Sequence, residues 1–407
     1  MRIVVVEPRR AGGMIHYAYR LCAAMAEAGA DVTLITSTDY ELAGIPHTFA
    51  VEPILRPTSR PAGPASTGGG ALPAIARRVR RIGRLASALT LVLTEWVRLA
   101  RRLLQLHPDV VQFGSIEHAI EAPFLHFLRA RGLVLADVVH EPEIRTTRGL
   151  RWAVDVRLYR WVYPAFHEIF LHGEANRRRF AELYPGVPSR RLHTIQMGSH
   201  IVLAPGAERD VDLRARHGIP AEAPVAVFFG TLLPSKGIED LLEAFVAVRA
   251  RRPDARLLIA GHPSRHMEDG SLERLAESLG IADAVTVDPH YVPNEELGAL
   301  MGLAQVVVFP YRNATQSGAL QMAYAYGRPV IVTRAGALPE VVEEGRSGLV
   351  IDPRRPDQLA EALLAILDDP EAAERMGAHA RHLSETRHSW ASIAGSILTV
   401  YRGLVRR

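Results

Sequence analysis

The chain has 407 residues, 48% hydrophobic and 23% charged; these are globular values that exclude a disordered chain, and the length suits two or three domains. A net charge of +4 over that length leaves no nucleic-acid footprint, and the single cysteine, Cys22, excludes an internal disulfide framework and fits a reducing compartment. The apolar opening at residues 3–6 is too short for a signal peptide, and no uncharged apolar run reaches the length of about 18 residues that a membrane-spanning helix needs.

Short apolar runs alternate with helical patterns from end to end, which predicts a parallel α/β architecture. Strands are expected at 3–6, 32–35, 110–113, 133–140 and 169–171. After the first strand, Tyr17, Leu21, Met25 and Ala28 fall near one helical face and Gly29 ends the helix. Residues 205–224 lapse into charge, proline and glycine and read as an interdomain connection. A second series follows, with strands at 225–229, 257–260, 285–287, 306–309, 330–332 and 349–351. The expected architecture is therefore two Rossmann-like, doubly wound domains facing a cleft at their strand C-terminal ends. The first spans 1–203 and the second 204–386, with 387–407 as a closing helix.

Two segments break the rhythm. Residues 53–73 hold five prolines and Gly68-Gly69-Gly70, which predicts a mobile loop. Residues 77–102 carry eight arginines against one acid, Glu95. On a helical projection Arg77, Arg81, Arg84, Arg98 and Arg102 share one side, while Leu85, Leu89, Trp96 and Leu103 share another. Two readings stand open: a surface helix that packs its leucines on the first domain, or a basic surface that sits on anionic lipid head groups. The two are compatible because they use opposite faces.

Two strand-to-helix loops carry the chemistry. In Phe309-Pro310-Tyr311-Arg312-Asn313-Ala314-Thr315-Gln316-Ser317-Gly318, a buried strand gives way to a polar loop and then a helix near Ser317. Free amides at a helix start, with the short donors of Thr315, Gln316 and Ser317, suit phosphate oxygens; a plain turn capped by Ser317 has the same spelling. In Phe228-Phe229-Gly230-Thr231-Leu232-Leu233-Pro234-Ser235-Lys236-Gly237, Gly230 admits a ligand to the backbone and Lys236 supplies a point charge. Gly237 stands where a Walker A loop has Ser or Thr, so this is not that motif. Together the two loops predict a diphosphate clamp.

The succession of Gly12-Gly13, Gly230 to Lys236-Gly237, Gly327-Arg328-Pro329-Val330-Ile331, Gly336-Ala337-Leu338-Pro339-Glu340 and Gly345-Arg346-Ser347-Gly348-Leu349, with closing Trp390 and Tyr401, resembles the retaining GT-B glycosyltransferases typified by family 4. The Ala314-Thr315-Gln316-Ser317-Gly318 wording is similar to a subset of that family. The resemblance covers nearly the whole chain and implies a GT-B fold and transfer of a sugar from a nucleotide-diphosphate sugar to a glycan or lipid-linked acceptor. It implies that Gly12 and Gly13 approach the donor, that His140 lies near the transferring sugar, and that Lys236 with Gly230 and Thr231 meets the diphosphate. It further places Tyr291 and Val292 at the base, and Ser317, Gly318 and Ala319 at the distal phosphate. The closing helix would cross back to the first domain.

Three positions depart from the family. Its paired glutamates fall on Ala314 and Met322, with Gln321 as the candidate substitute at the ribose. The basic residue before Lys-Gly is absent, Thr231 and Leu233 standing there instead. The Pro-His-Gly turn reads Gln196-Met197-Gly198.

In transfer of this type the leaving diphosphate takes the proton of the attacking hydroxyl, so no carboxylate dyad, cofactor or metal is expected. Glu141 and His172 are assigned to the acceptor side, and Glu143 to the acceptor or a loop cap. Asp210-Val211-Asp212 lies in the connection and is declined as a metal motif, and Arg177-Arg178-Arg179 reads as an exposed helix face. The expected setting is cytoplasmic, either free or in peripheral contact with the inner face of the membrane. A non-catalytic nucleotide-sugar-binding or partner-binding member, or a nucleotide-sugar epimerase, are the alternatives on this scaffold.

Overall fold

Runs of Val, Ile, Leu and Phe build two parallel sheets in a computed structural model that describes residues 1–56, 74–116, 118–143, 150–199, 202–203, 206–264 and 266–405. The first sheet contains β1 (Arg2–Glu7), β2 (Asp31–Ser37), β3 (Ala50–Leu55), β4 (Val110–Phe113), β5 (Leu135–Val139), β6 (Glu168–His172) and β7 (Leu192–Ile195), in the order β3-β2-β1-β4-β5-β6-β7. The second contains β8 (Val225–Phe229), β9 (Arg256–Ala260), β10 (Val285–Asp288), β11 (Val306–Phe309), β12 (Val330–Thr333) and β13 (Gly348–Ile351), in the order β10-β9-β8-β11-β12-β13. Ile3 lies opposite both Val32 and Val110, which fixes the centre of the first sheet. Helices cover both faces, so central strands such as β11 are buried throughout and read as unbroken apolar runs.

Strand order reverses between β1 and β4 in one sheet and between β8 and β11 in the other. Loops diverge at such points and leave a crevice at the strand C-terminal ends. The turns after β1, β8 and β11 are those that carry Gly12, Lys236 and Ser317.

The closing helix, Trp390–Val405, buries Ile393, Ala394, Ile397, Leu398 and Tyr401 in the core beneath the helix Gly13–Glu27 of the first sheet. Buried Tyr401 donates its hydroxyl to Gln112 Oε1 at 2.7 Å, and the Trp390 indole donates to the Ser199 carbonyl at 2.6 Å. Tyr401→Phe leaves the Gln112 oxygen buried without that donor. We expect it to cost about 1–3 kcal/mol, read from the denaturation midpoint; an unchanged midpoint would contradict the assignment.

Several elements differ from the sequence reading. β3 and β7 were not anticipated, and residues 53–55, expected in a loop, close β3; residues 57–73 lie outside the described residues. The connection contains a short helix, Leu213–His217, capped by Asp212, whose carboxylate accepts the Ala215 N–H at 2.9 Å. The basic segment belongs to the helix Ala74–Leu106, in which the side chains of Arg77, Arg81, Arg84 and Leu85 lie outside the described residues. Val92, Trp96, Leu99 and Leu103 form its buried stripe. Leu89, expected on that stripe, falls one turn beyond Val92 and is 44% exposed, and Leu93 and Val97 are exposed as well. Arg98 and Arg102, expected as free basic surface, pair with Glu95 and Glu52.

One core position breaks the apolar rule. Asp137 on β5 is buried, and its Oδ1 has no partner among the described residues. Burial, with the neighbouring Glu7 carboxylate adding to it, pushes its carboxyl up to about 8. The folded chain therefore holds a proton that the unfolded chain, with an ordinary carboxyl near 3.8, releases. Stability carried by this group is present below pH about 4 and is lost as pH rises toward 8. Asp137→Asn should flatten the fall of the thermal midpoint between about pH 5 and 8, and parallel wild-type and variant profiles would argue against this ionisation.

Candidate active site

The turn after β8 carries a one-turn helix, Pro234–Lys236, closed by Gly237 in the left-handed region at φ 67°. A side chain at Gly237 would place its Cβ 2.0 Å from the Pro310 carbonyl oxygen, so glycine is what lets the turns after β8 and β11 touch. The Arg312 N–H donates to the Ser235 carbonyl at 2.9 Å, and the Arg312 guanidinium holds Asp240 through two hydrogen bonds and Glu239 at 3.3 Å. Those acids begin the next helix, Ile238–Arg251, and Arg312 occupies them. The Lys236 ammonium lies 3.5 Å from the centroid of the Tyr311 ring, a cation–π contact.

Tyr311 connects the lysine to the second loop. Its hydroxyl is 3.3 Å from Ser317 Oγ, which in turn accepts the Leu320 N–H at 3.2 Å as N-cap of the helix Gly318–Ala325. The first amides of that helix, at Gly318 and Ala319, have no intrahelical acceptor and carry the positive end of its dipole. Lys236, Thr315, Gln316, Ser317, Gly318 and Ala319 thus come together at the second switch point. An ammonium, a helix start and short polar side chains converge there, which is the chemistry of a phosphate site.

Across the cleft, His140 follows β5 and His172 ends β6. His172 Nε2 and His140 Nδ1 lie 3.1 Å apart, and the Tyr17 ring meets both edge-on at 5.5 and 4.6 Å. Trp390 packs on Tyr17 at 5.0 Å, so the closing helix helps to fix this cluster. The Tyr17 hydroxyl is buried without a partner among the described residues, and burial holds its phenol well above the ordinary value. Gly12 starts the helix Gly13–Glu27, and its N–H donates to Glu41 Oε1 at 2.6 Å; Glu41 also meets His16 Nε2 at 3.1 Å. A carboxylate therefore sits on the amide that the sequence assigns to the donor.

Of the remaining residues, Gln321 borders both clusters, while Tyr291, Val292, Thr231, Glu141, Glu143 and Met322 lie outside the slot it shares with His172 and Ser317. Tyr291 is 68% exposed on the loop after β10, where desolvation and, after it, the charges of Glu41 and Glu295 raise its phenol, and Val292 packs on the second core. Thr231 and Glu141 are exposed, and Glu143 pairs with Arg179. Met322 is buried, its sulfur accepting the Ser199 hydroxyl at 2.9 Å. Gln321 is buried in a narrow slot beside His172, Met197 and Gln316, with Oε1 unpartnered among the described residues. Sequence reasoning missed Glu41, Asn176, Tyr311 and Arg312. Glu41 and Asn176 carry no local motif, and Tyr311 and Arg312 stood in the strand-exit loop without a role of their own; each meets a partner distant in the chain.

Comparison with known proteins divides the chain in the same way. The model for Glycosyltransferase Family 4 matches residues 11–200, and that for Glycosyl transferases group 1 matches residues 210–383. The chain belongs to the family 4-like glycosyltransferases of GT-B fold. The D-inositol 3-phosphate glycosyltransferase of Corynebacterium glutamicum is 34% identical over 221 residues, 53% of this chain and 52% of that protein. The chain spans about half the length of the curated relatives it matches first. Sucrose-phosphate synthase from Thermosynechococcus elongatus shares the fold with a TM-score of 0.71 at 20% identity, over 100% of this chain and 99% of that one. HepE of Anabaena, solved in complex with UDP, gives 0.70 at 16% identity over 99% and 100%. In this family member, the two switch points belong to the two halves of a GT-B fold.

Proposed function

We propose that the chain is a retaining, metal-independent glycosyltransferase that moves a sugar from a nucleotide-diphosphate sugar to a hydroxyl of a glycan or lipid-linked acceptor, in polysaccharide or glycolipid assembly. The observation that carries this reading is the convergence of Lys236, Tyr311 and Ser317 at the second switch point. Lys236 and the amides of Ser317, Gly318 and Ala319 hold the diphosphate and stabilise its growing charge as the anomeric C–O bond breaks. The acceptor oxygen attacks the anomeric carbon from the side the diphosphate leaves, and its proton passes to a phosphate oxygen. His140, braced by His172 and Tyr17, lies at the sugar. The base lies toward Tyr291 and Val292, and Gly12 and Gly13 close on the donor once Glu41 moves from the Gly12 amide.

The setting we propose is cytoplasmic, at the inner face of the membrane. Exposed Leu89, Leu93 and Val97 beside Arg101 on the helix Ala74–Leu106 match an anionic lipid surface. Among the described residues, no helix is long and apolar enough to cross a membrane. The non-catalytic alternative draws on Ala314 and on Met322, whose sulfur is turned to Ser199. Proton NMR of the first-formed product, with glycan and lipid-linked acceptors, decides between the readings. Retention of the donor's anomeric configuration supports transfer as written. Inversion overturns the mechanism, and a bound donor that never turns over favours the non-catalytic member.

A further inference from the structure

The Gly336-Ala337-Leu338-Pro339-Glu340 motif has no part in the mechanism above, yet Glu340 reaches into the first domain. Its carboxylate accepts the backbone N–H of Glu174 at 2.6 Å and of Ala175 at 2.7 Å, the first amides of the helix Glu174–Leu183. These are charge-assisted bonds at the positive end of a helix dipole. Gly173, immediately before them, has φ 88°, and a Cβ there would lie 2.7 Å from Ala337 Cβ and 2.8 Å from Glu340 Oε2. Glycine therefore permits the two domains to touch at this point.

One helical turn later, buried Asn176 uses its side-chain amide twice, donating to the His172 carbonyl at 2.6 Å and to the Thr315 carbonyl at 2.9 Å. The Thr315 carbonyl also accepts the Ala337 N–H at 3.1 Å. The same few residues thus grip the strand end bearing His172 on one side and the loop bearing Ser317 on the other.

We propose that Glu340 is a positioning residue, the charged half of an interdomain clasp that sets the His140–His172 pair against the phosphate loop. The proposal rests on the transferase reading. Glu340 acts through the helix Glu174–Leu183, with Asn176 as its companion. The clasp fixes the distance between the group that holds the diphosphate and the groups that meet the sugar, and so governs the chemical step more than donor affinity.

Glu340→Ala, Glu340→Gln and Asn176→Ala test this in the full chain, using the nucleotide sugar that stabilises wild type most. In Glu340→Ala, hydrogen exchange at the Glu174 and Ala175 amides should speed up. Donor KM should stay within about twofold while kcat falls roughly 10- to 100-fold, the scale of a misplacement near 1 Å. Glu340→Gln, which keeps the length and one accepting oxygen, should recover part of kcat even if the alanine variant folds poorly. Adding Asn176→Ala to Glu340→Ala should cost less than the two losses combined. Unchanged exchange, unchanged kcat, or a rise in KM alone in a folded variant overturns the clasp. If wild type binds no nucleotide, the transferase reading fails, and the exchange result alone decides whether the clasp exists.

Discussion

Lys236→Ala should weaken binding of a nucleoside diphosphate by about 1.5–3 kcal/mol, the scale of a hydrogen bond to a charged group. Glu239 and Asp240, which follow its turn, pair with Arg312, and the ammonium rests on the Tyr311 ring with no carboxylate paired to it among the described residues, which suits it to meet an anion. Removing it withdraws the point charge while the amides at Gly318 and Ala319 remain, and binding should weaken without vanishing. Titration calorimetry with a nucleoside diphosphate and the matching nucleoside separates charge from base recognition. The diphosphate should lose affinity and the nucleoside should not. Equal affinity of wild type and a folded variant would remove Lys236 from the site.

Gly237→Ala should cost more. The left-handed backbone alone penalises a non-glycine residue by about 1–2 kcal/mol. The new Cβ, 2.0 Å from the Pro310 oxygen, must also push the turn after β8 away from the turn after β11. Separating them moves Lys236 from Ser317, so the thermal midpoint and the diphosphate affinity should fall together. Gly403→Ala serves as the control, because that exposed helical glycine has open space around it and alanine there should stabilise by up to about 1 kcal/mol. A Gly237→Ala chain with wild-type midpoint and affinity would contradict the packed-turn account.

The central strands were legible because parallel sheets covered on both faces need continuous apolar runs. β3 and β7 were not. As edge strands they are partly exposed, and carry Glu52 and Pro53 in one and His193 and Thr194 in the other, so no unbroken run marks them. In the site, Lys236 and Ser317 were visible as strand-end loops with phosphate chemistry. Tyr311, which joins them, read only as part of a strand exit. Glu41 and Asn176 gave no signal, because each meets its partner far along the chain, Glu41 at Gly12 and Asn176 at Thr315. Leu89 shows the limit of a helical projection, which finds a face but not where the packing surface under it ends.

The central claim is that the two switch-point turns hold the diphosphate of a nucleotide sugar. A thermal-shift screen of the purified chain against UDP, GDP, ADP and dTDP and their common sugar conjugates tests it most directly. One nucleotide and its conjugate should raise the midpoint clearly, since a ligand at 100 times its Kd adds about 2.7 kcal/mol, and Lys236→Ala should shrink that rise. No response to any of them from a folded protein would contradict the claim.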